Sequence, residues 1–328
     1  MFTCTFHGVR NMSSNLDLDH FSGENKLRKC FNNLKNIKCD SRRPNRRKKN
    51  VKTVLKDDFD WRDHVVDFRR PDSFSDFFEE TTLDLNINAW NELMAGRISD
   101  PKHWKGYMVK HIPRGFIVIP GAFDETSSKY WYDKLMDEIP YKDAALLRSN
   151  VQLPPSKHSI TPVKGSGSNG SDEDISIMLR WISFGYFYDW NTKKYSDDKE
   201  DVPQDIQNLF KDLASILGID FKPEAGVINY YNCKSRLSAH VDQSEGNLDV
   251  PLISLSFGSD AILIVGGLNQ NDETVIPLLL KSGDVVIMSR ESRLIWHSVP
   301  KVFCRNHSEN CENGRRIFRI NLNVRQVN

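Results

Sequence analysis

The first clues are absences. No run in the 328 residues is apolar and long enough to span a bilayer, so neither a transmembrane helix nor a membrane partner is expected. A charged-then-apolar leader is also missing, and a soluble intracellular protein is the expectation. Six cysteines, at positions 4, 30, 39, 233, 304 and 311, are too few and too scattered for a disulfide framework in a chain this long, so reduced thiols fit best. Cys304, His307 and Cys311 share a polar insertion, but they lack a fourth partner and a standard zinc spacing, so they read as loop. A net charge of +1 gives no global field to draw the molecule to nucleic acid. The glycines at 165, 167 and 170 lack the Lys-Ser/Thr ending and the flanking strand and helix of a phosphate cradle, and read as a mobile loop.

Local charge is a different matter. Seven of the residues between 42 and 52 are Arg or Lys and none is acidic. Such a block is normally a solvated tail, and it also suits phosphate binding or nuclear import. Residues 1–56 are therefore expected to be a basic, disordered tail. The expected location is nucleus or cytoplasm. Asp17, Asp19 and Glu24 argue against a transit peptide, leaving the mitochondrion as the lesser alternative. Residues 57–112, acidic and aromatic (Trp61, Phe68, Phe74, Phe77, Phe78), are expected to form a helical extension.

Further on, residues 115–120 read as a short strand and 124–139 as a helix starting at an acidic or Ser/Thr cap. Ile206, Leu209, Phe210, Leu213, Ile216 and Leu217 recur at helical spacing, between Pro203 and Gly218 as start and stop signals. From 227 onward the chain turns to short β-branched segments: 227–231, 237–242, 251–258, 261–266, 274–280, 284–289 and 316–326. With no helices between them, a parallel α/β sheet is excluded. The fold class expected is α+β and β-dominated, with a jelly roll or closed sandwich at its centre.

Three pieces of this β region carry chemistry. In Leu237-Ser238-Ala239-His240-Val241-Asp242 the polar residues alternate with apolar ones. On a strand, His240 and Asp242 leave one face about 7 Å apart, close enough to grip one metal ion. The competing reading is an edge strand with a solvated polar face. His297, after the apolar run 285–288, is the best-placed third ligand. Two histidines and a carboxylate on one facet suit a non-haem Fe(II) centre with open positions for a co-substrate and oxygen. In residues 319–325, Ile320, Leu322 and Val324 share one side, while Arg319, Asn321, Asn323 and Arg325 share the other. Two arginines on an inner face call for an anion with several oxygens; on a solvated face they are ordinary surface charge. Finally, residues 180–190 are densely aromatic. Tyr186, Tyr188, Trp190 and Tyr195, with Lys193 and Lys194, suit a surface that stacks a base and touches phosphate.

Together, Asn229-Tyr230-Tyr231, His240-x-Asp242, His297 and Arg319-x-Asn321-x-x-x-Arg325 resemble the AlkB family of Fe(II)/2-oxoglutarate dioxygenases. The likeness runs from about residue 113 to 328. It is nearest to the first animal AlkB homologue, whose habits recur in His240-Val241-Asp242-Gln243-Ser244-Glu245 and Asn323-Val324-Arg325-Gln326-Val327. The resemblance implies a double-stranded β-helix core at 227–328, and a nucleotide-recognition lid with supporting helices at 113–226. It implies Fe(II) on His240, Asp242 and His297, with 2-oxoglutarate and O2 as co-substrates. Arg319 matches the partner of the distal carboxylate, and Asn229, Tyr231, Asn321 and Arg325 match residues framing the co-substrate. The implied reaction removes an N-methyl group from a base as formaldehyde, with succinate and carbon dioxide as co-products. Unpaired or flipped bases in tRNA or DNA would be substrates of a monomer. Ser244 stands where the bacterial pattern has a second aspartate that contacts the base, so that enzyme's base preference does not transfer. N1-methyladenine in tRNA and N6-methyladenine in DNA stay open. So do two other classes: an oxygenase of protein side chains such as histone methyl-lysine, and a binding module with an idle metal site.

Overall fold

The alternation seen in the sequence becomes two facing antiparallel sheets in the computed structural model, which describes residues 23–35, 37, 61–90, 94, 96–141, 148–150, 179–189, 191–269, 274–303 and 317–328. The basic block, the Gly/Ser-rich stretch, Trp190 and the Cys304, His307 and Cys311 cluster lie outside these residues. The strands are β1 (Phe78–Thr81), β2 (Gly106–Val109), β3 (Phe116–Ile119), β4 (Arg148–Ser149), β5 (Trp181–Asp189), β6 (Lys194–Lys199), β7 (Ala225–Tyr231), β8 (Leu237–His240), β9 (Leu252–Gly258), β10 (Ala261–Val265), β11 (Ile276–Leu280), β12 (Val285–Met288), β13 (His297–Val302) and β14 (Arg319–Arg325). The helices are α1 (Gly23–Leu34), α2 (Glu125–Asp133) and α3 (Gln204–Ile216). The major sheet runs β1-β2-β3-β12-β9-β14-β7-β5-β4, with β6 added to β5, and the minor sheet runs β11-β10-β13-β8. This is the jelly roll that the strand pattern called for. Among the described residues, no helix is long and apolar enough to cross a membrane.

The period of two decides what each face meets. On one side of the major sheet Ile228, Tyr230, Ile253, Leu255, Phe257, Ile320, Leu322 and Val324 pack with Trp131 of α2 and with Ile206, Leu209, Phe210 and Leu213 of α3. The polar alternates, among them Ser254, Ser256, Asn321 and Asn323, turn toward the minor sheet. Asp124 caps α2, its carboxylate accepting from the Ser127 N–H at 2.8 Å, as the acidic start signal indicated. Leu252, Val286 and Met288 of the major sheet meet Val265, Leu278 and Leu280 of the minor sheet to close one end of the sandwich.

Two expectations need correction. Residues 1–56 are not tail throughout. Leu27, Cys30, Phe31 and Leu34 recur at helical spacing, a signal that the neighbouring basic block obscures, and they form the apolar stripe of α1. That stripe covers Ile262, Ile264 and Leu279 on the outer face of the minor sheet. Burying a side chain such as Leu34 contributes roughly 1.5–3 kcal/mol, which a solvated tail forgoes. Cys30 gives the test: burial pushes its thiol up to about 12. Peptide-resolved alkylation at pH 8 is expected to leave Cys30 unlabelled in the folded protein and to label it only in denaturant. Rapid labelling in the native state would mean that α1 is undocked.

The second correction concerns residues 57–112, which were expected to be helical. Those of them that are described form short 3-10 turns and the strands β1 and β2, which extend the major sheet through β3. Phe78 and Val109 pair across β1 and β2 and are 1% and 2% exposed, so this segment belongs to the core. Val66 bridges in parallel to Leu278 on the edge of the minor sheet. The aromatic content reflects strand packing, for which aromatic residues are as well suited as for helix faces.

Candidate metal and co-substrate site

His240 is the last residue of β8 and His297 the first of β13, and the two are direct partners across that antiparallel pair. Their ring centroids stand 4.2 Å apart. Each Nδ1 lies against a backbone carbonyl, His240 at 2.9 Å from Ser238 O and His297 at 3.2 Å from Ile295 O. With the ring hydrogen donated there, both Nε2 lone pairs are free to face a common centre. They lie 4.0 and 3.8 Å from the two Asp242 carboxylate oxygens. One ligand atom from each residue falls within 4.8 Å of the others. Two imidazoles and one carboxylate on a single facet fit a non-haem Fe(II) ion.

Asp242 does not arrive by strand alternation alone, because β8 stops at His240. Beyond it the chain leaves the sheet, and Arg293 Nη1 donates to the Asp242 carbonyl at 2.7 Å. Burial opposes ionisation of the Asp242 carboxyl. Arg325, His297, His240 and Arg293 outweigh it and hold the group well below the usual carboxylate range. His297 is pulled down to about 4, by burial first and His240 second, so it stays a neutral ligand at physiological pH. The His240 side chain is 35% exposed against 11% for His297, so the cluster opens on the His240 side.

Below the cluster, β14 presents its polar face. Arg319, opposite Tyr231 in register, is 2% exposed. Its Nη1 donates to Ser259 O at 3.0 Å and its Nη2 to Ser256 Oγ at 2.7 Å, while the buried Nε has no partner. Among the described residues it forms no ion pair. A buried guanidinium without an anion is expensive, and burial lowers its proton affinity. Burial likewise pushes the Tyr231 phenol up to about 12, so it remains a neutral hydroxyl beside that cation. Asn321 Nδ2 donates to Ser254 Oγ at 2.7 Å and to Leu255 O at 3.1 Å. Asn229 is its partner on β7.

Arg325 differs from Arg319. It donates to Glu245 Oε1 at 3.0 Å and lies 3.4 Å from the Asp242 carboxylate. Of the two arginines that the sequence placed on one face, only Arg319 is without an ion pair among the described residues. The arrangement also includes two residues that the sequence reading did not assign, Glu245 and Arg293, paired at 2.9 Å in full burial. The available signal was modest: Glu245 closes the stretch that begins at His240, and Arg293 sits in the turn just before His297.

The aromatic run divides. Ile182 and Phe184 enter the core, and Phe187 is buried as well. Gly185 then takes φ +76°, with space for no Cβ: one would stand 1.9 Å from Glu224 O. Past this kink Tyr188 reaches the metal-side loop, its hydroxyl accepting from Ser244 Oγ at 3.3 Å. Tyr195 lies edge-on to Tyr188 and donates to Glu245 Oε1 at 3.4 Å. Burial pushes its phenol up to about 12. Tyr186 makes its contacts elsewhere, accepting from Asn328 Nδ2 at 2.8 Å beneath the Lys199 ammonium. Tyr188, Tyr195 and Ser244 thus gather beside the His-Asp-His cluster, and Tyr186 faces other partners.

The family model described as 2OG-Fe(II) oxygenase superfamily matches residues 115–325. The nucleic acid dioxygenase ALKBH1 of Homo sapiens is 35% identical over 229 residues, covering 66% of this chain and 58% of that protein. The tRNA demethylase abh1 of Schizosaccharomyces pombe is 38% identical over 169 residues, covering 48% of this chain and 55% of that protein. The alpha-ketoglutarate-dependent dioxygenase AlkB of Escherichia coli is 36% identical over 152 residues, covering 45% of this chain and 68% of that protein. The chain therefore spans a little over half the length of the first two relatives, and about two thirds of the bacterial one. A superfamily match that runs from β3 to the end of β14, and a bacterial relative matched over most of its own length, place this chain in the AlkB family of the 2OG-Fe(II) oxygenase superfamily.

Proposed function

We propose that this protein is an Fe(II)- and 2-oxoglutarate-dependent dioxygenase that demethylates N-methylated bases in nucleic acid, N1-methyladenine in tRNA or N6-methyladenine in DNA. The observation that carries the reading is a buried Arg319, without an ion pair among the described residues, on the polar face that the major sheet turns toward the minor sheet, where a His-Asp-His cluster is open on one side. Fe(II) with 2-oxoglutarate and O2 supplies the oxidising chemistry that hydroxylates an N-methyl group, which then leaves as formaldehyde.

The protein's part is binding and orientation. His240, Asp242 and His297 would hold the ion through two Nε2 atoms and one carboxylate. Arg319 supplies the charge and fork geometry for the far carboxylate of 2-oxoglutarate. Tyr231 and Asn229 on β7 flank it, with Asn321 and Arg325 completing the frame. The buried sheet face keeps water from the co-substrate and strengthens each of these contacts. Beside the cluster, Tyr188, Tyr195 and Ser244 form one wall for an incoming base, with Tyr186 further along the same hairpin. A duplex must release its base to reach this wall, so unpaired or flipped nucleotides suit it best. Names carried by the relatives, which include a nucleic acid dioxygenase and a tRNA demethylase, favour nucleic acid over protein as substrate.

The test measures formaldehyde release side by side. N1-methyladenine tRNA, single-stranded and bulged N6-methyladenine DNA, and methyl-lysine histone peptides are each incubated with Fe(II) and 2-oxoglutarate. Turnover of at least one nucleic acid, absent in His240→Ala, is expected. Turnover of peptides alone would defeat the assignment.

A further inference from the structure

Within that reading of the site, Arg293 stands out as a residue that touches neither ion nor co-substrate yet joins the segments that do. It is 1% exposed and lies in the turn Arg290–Leu294, which leads into His297. Its Nη1 donates to the Asp242 carbonyl at 2.7 Å, and its Nη2 pairs with Glu245 Oε2 at 2.9 Å. The other Glu245 oxygen accepts from Arg325 at 3.0 Å, and Arg325 in turn lies 3.4 Å from Asp242. Two guanidinium groups and two carboxylates therefore form a neutral chain of contacts that closes through the Asp242 backbone carbonyl, around the stretch where β8 has ended and no sheet hydrogen bonds hold the chain.

A buried ion pair is weak evidence for net stability, since desolvation offsets much of the attraction. Its better-attested use is to select one geometry, and here the selected object is the backbone of a metal ligand. We propose that Arg293, acting through Glu245, is a positioning residue. It struts the turn before His297 against the backbone of Asp242, and so sets two ligand segments and Arg325 as a unit. Tyr195 rests on the same Glu245 carboxylate at 3.4 Å, which ties the β5–β6 hairpin to this strut.

Manganese(II) reports on the strut without turnover. Its affinity for purified full-length protein, titrated by the electron paramagnetic resonance signal of free Mn(II), is expected to weaken about 10- to 100-fold in Arg293→Met, the range for outer-shell partners of metal ligands. Arg293→Lys is expected to fall between, since an ammonium can reach the carbonyl or the carboxylate but lacks the fork. Asp67→Asn serves as comparator: it breaks an ion pair with Lys281 at 3.1 Å away from the site, and should lower stability with Mn(II) affinity intact. A cooperatively folded Arg293→Met with wild-type affinity would overturn the strut. Should that variant not fold, unchanged affinity in both Arg293→Lys and Glu245→Gln does the same. A wild type that binds Mn(II) but never consumes 2-oxoglutarate overturns the proposed function alone, and a wild type that binds no Mn(II) overturns both.

Discussion

Asp242→Asn is expected to abolish 2-oxoglutarate consumption, with a loss beyond the roughly 100-fold typical of changes outside the ligand set. The amide keeps the shape but removes the one anionic ligand, which also faces both histidines within 4.0 Å. It strips Arg325 of one of its two acidic partners, leaving Glu245. The variant should nevertheless fold, because the other contact that fixes residue 242 is its backbone carbonyl on Arg293, which the substitution leaves intact. Isothermal titration with Mn(II), beside an assay of succinate formation, separates lost metal from lost chemistry. Retained turnover in Asp242→Asn would remove the carboxylate from the ligand set and the assignment with it.

The second large effect is on stability. Asp284 is fully buried in the turn between β11 and β12. It accepts from both Arg69 nitrogens, one at 2.9 Å, and from the backbone N–H groups of Gly121 at 2.9 Å and Lys281 at 2.8 Å. One carboxylate thus holds the segment before β1, the turn after β3 and its own turn. Asp284→Ala leaves two backbone N–H groups and the part-exposed Arg69 guanidinium without this acceptor, and is expected to cost about 2–4 kcal/mol, below the full range for stranding a buried charge because Arg69 reaches water. Asp284→Asn, which keeps an acceptor oxygen, should cost less. Urea denaturation followed by tryptophan fluorescence measures both. Unfolding of Asp284→Ala at the wild-type midpoint would show that residues 61–73 are an appendage and not part of the fold.

How far the site was legible depends on the range over which each signal acts. The alternation in residues 319–325 is a local property, and the faces it assigns are the faces seen: Ile320, Leu322 and Val324 lie in the core, with Arg319 and Asn321 on the polar side. His240, Asp242 and His297 were recognisable by residue type, and β8 and β13 bring them together. Arg325 and Glu245 are 80 residues apart, and Arg69 and Asp284 are 215 apart, so no local pattern could announce these pairings. The shift at Gly185 was hidden for a different reason: a single positive φ resets the period of two, and a run of tyrosines looks the same on either face.

By itself, then, the sequence determined the chemical inventory and the strand segments from 227 onward, because side-chain alternation and ligand type are written residue by residue. The tertiary structure alone decided which arginine has no acidic partner among the described residues, how the chain past β8 is held, and that α1 covers the outer face of the minor sheet. Each of these depends on distant groups meeting in a dry interior, where an ion either finds its partner or remains a site for one.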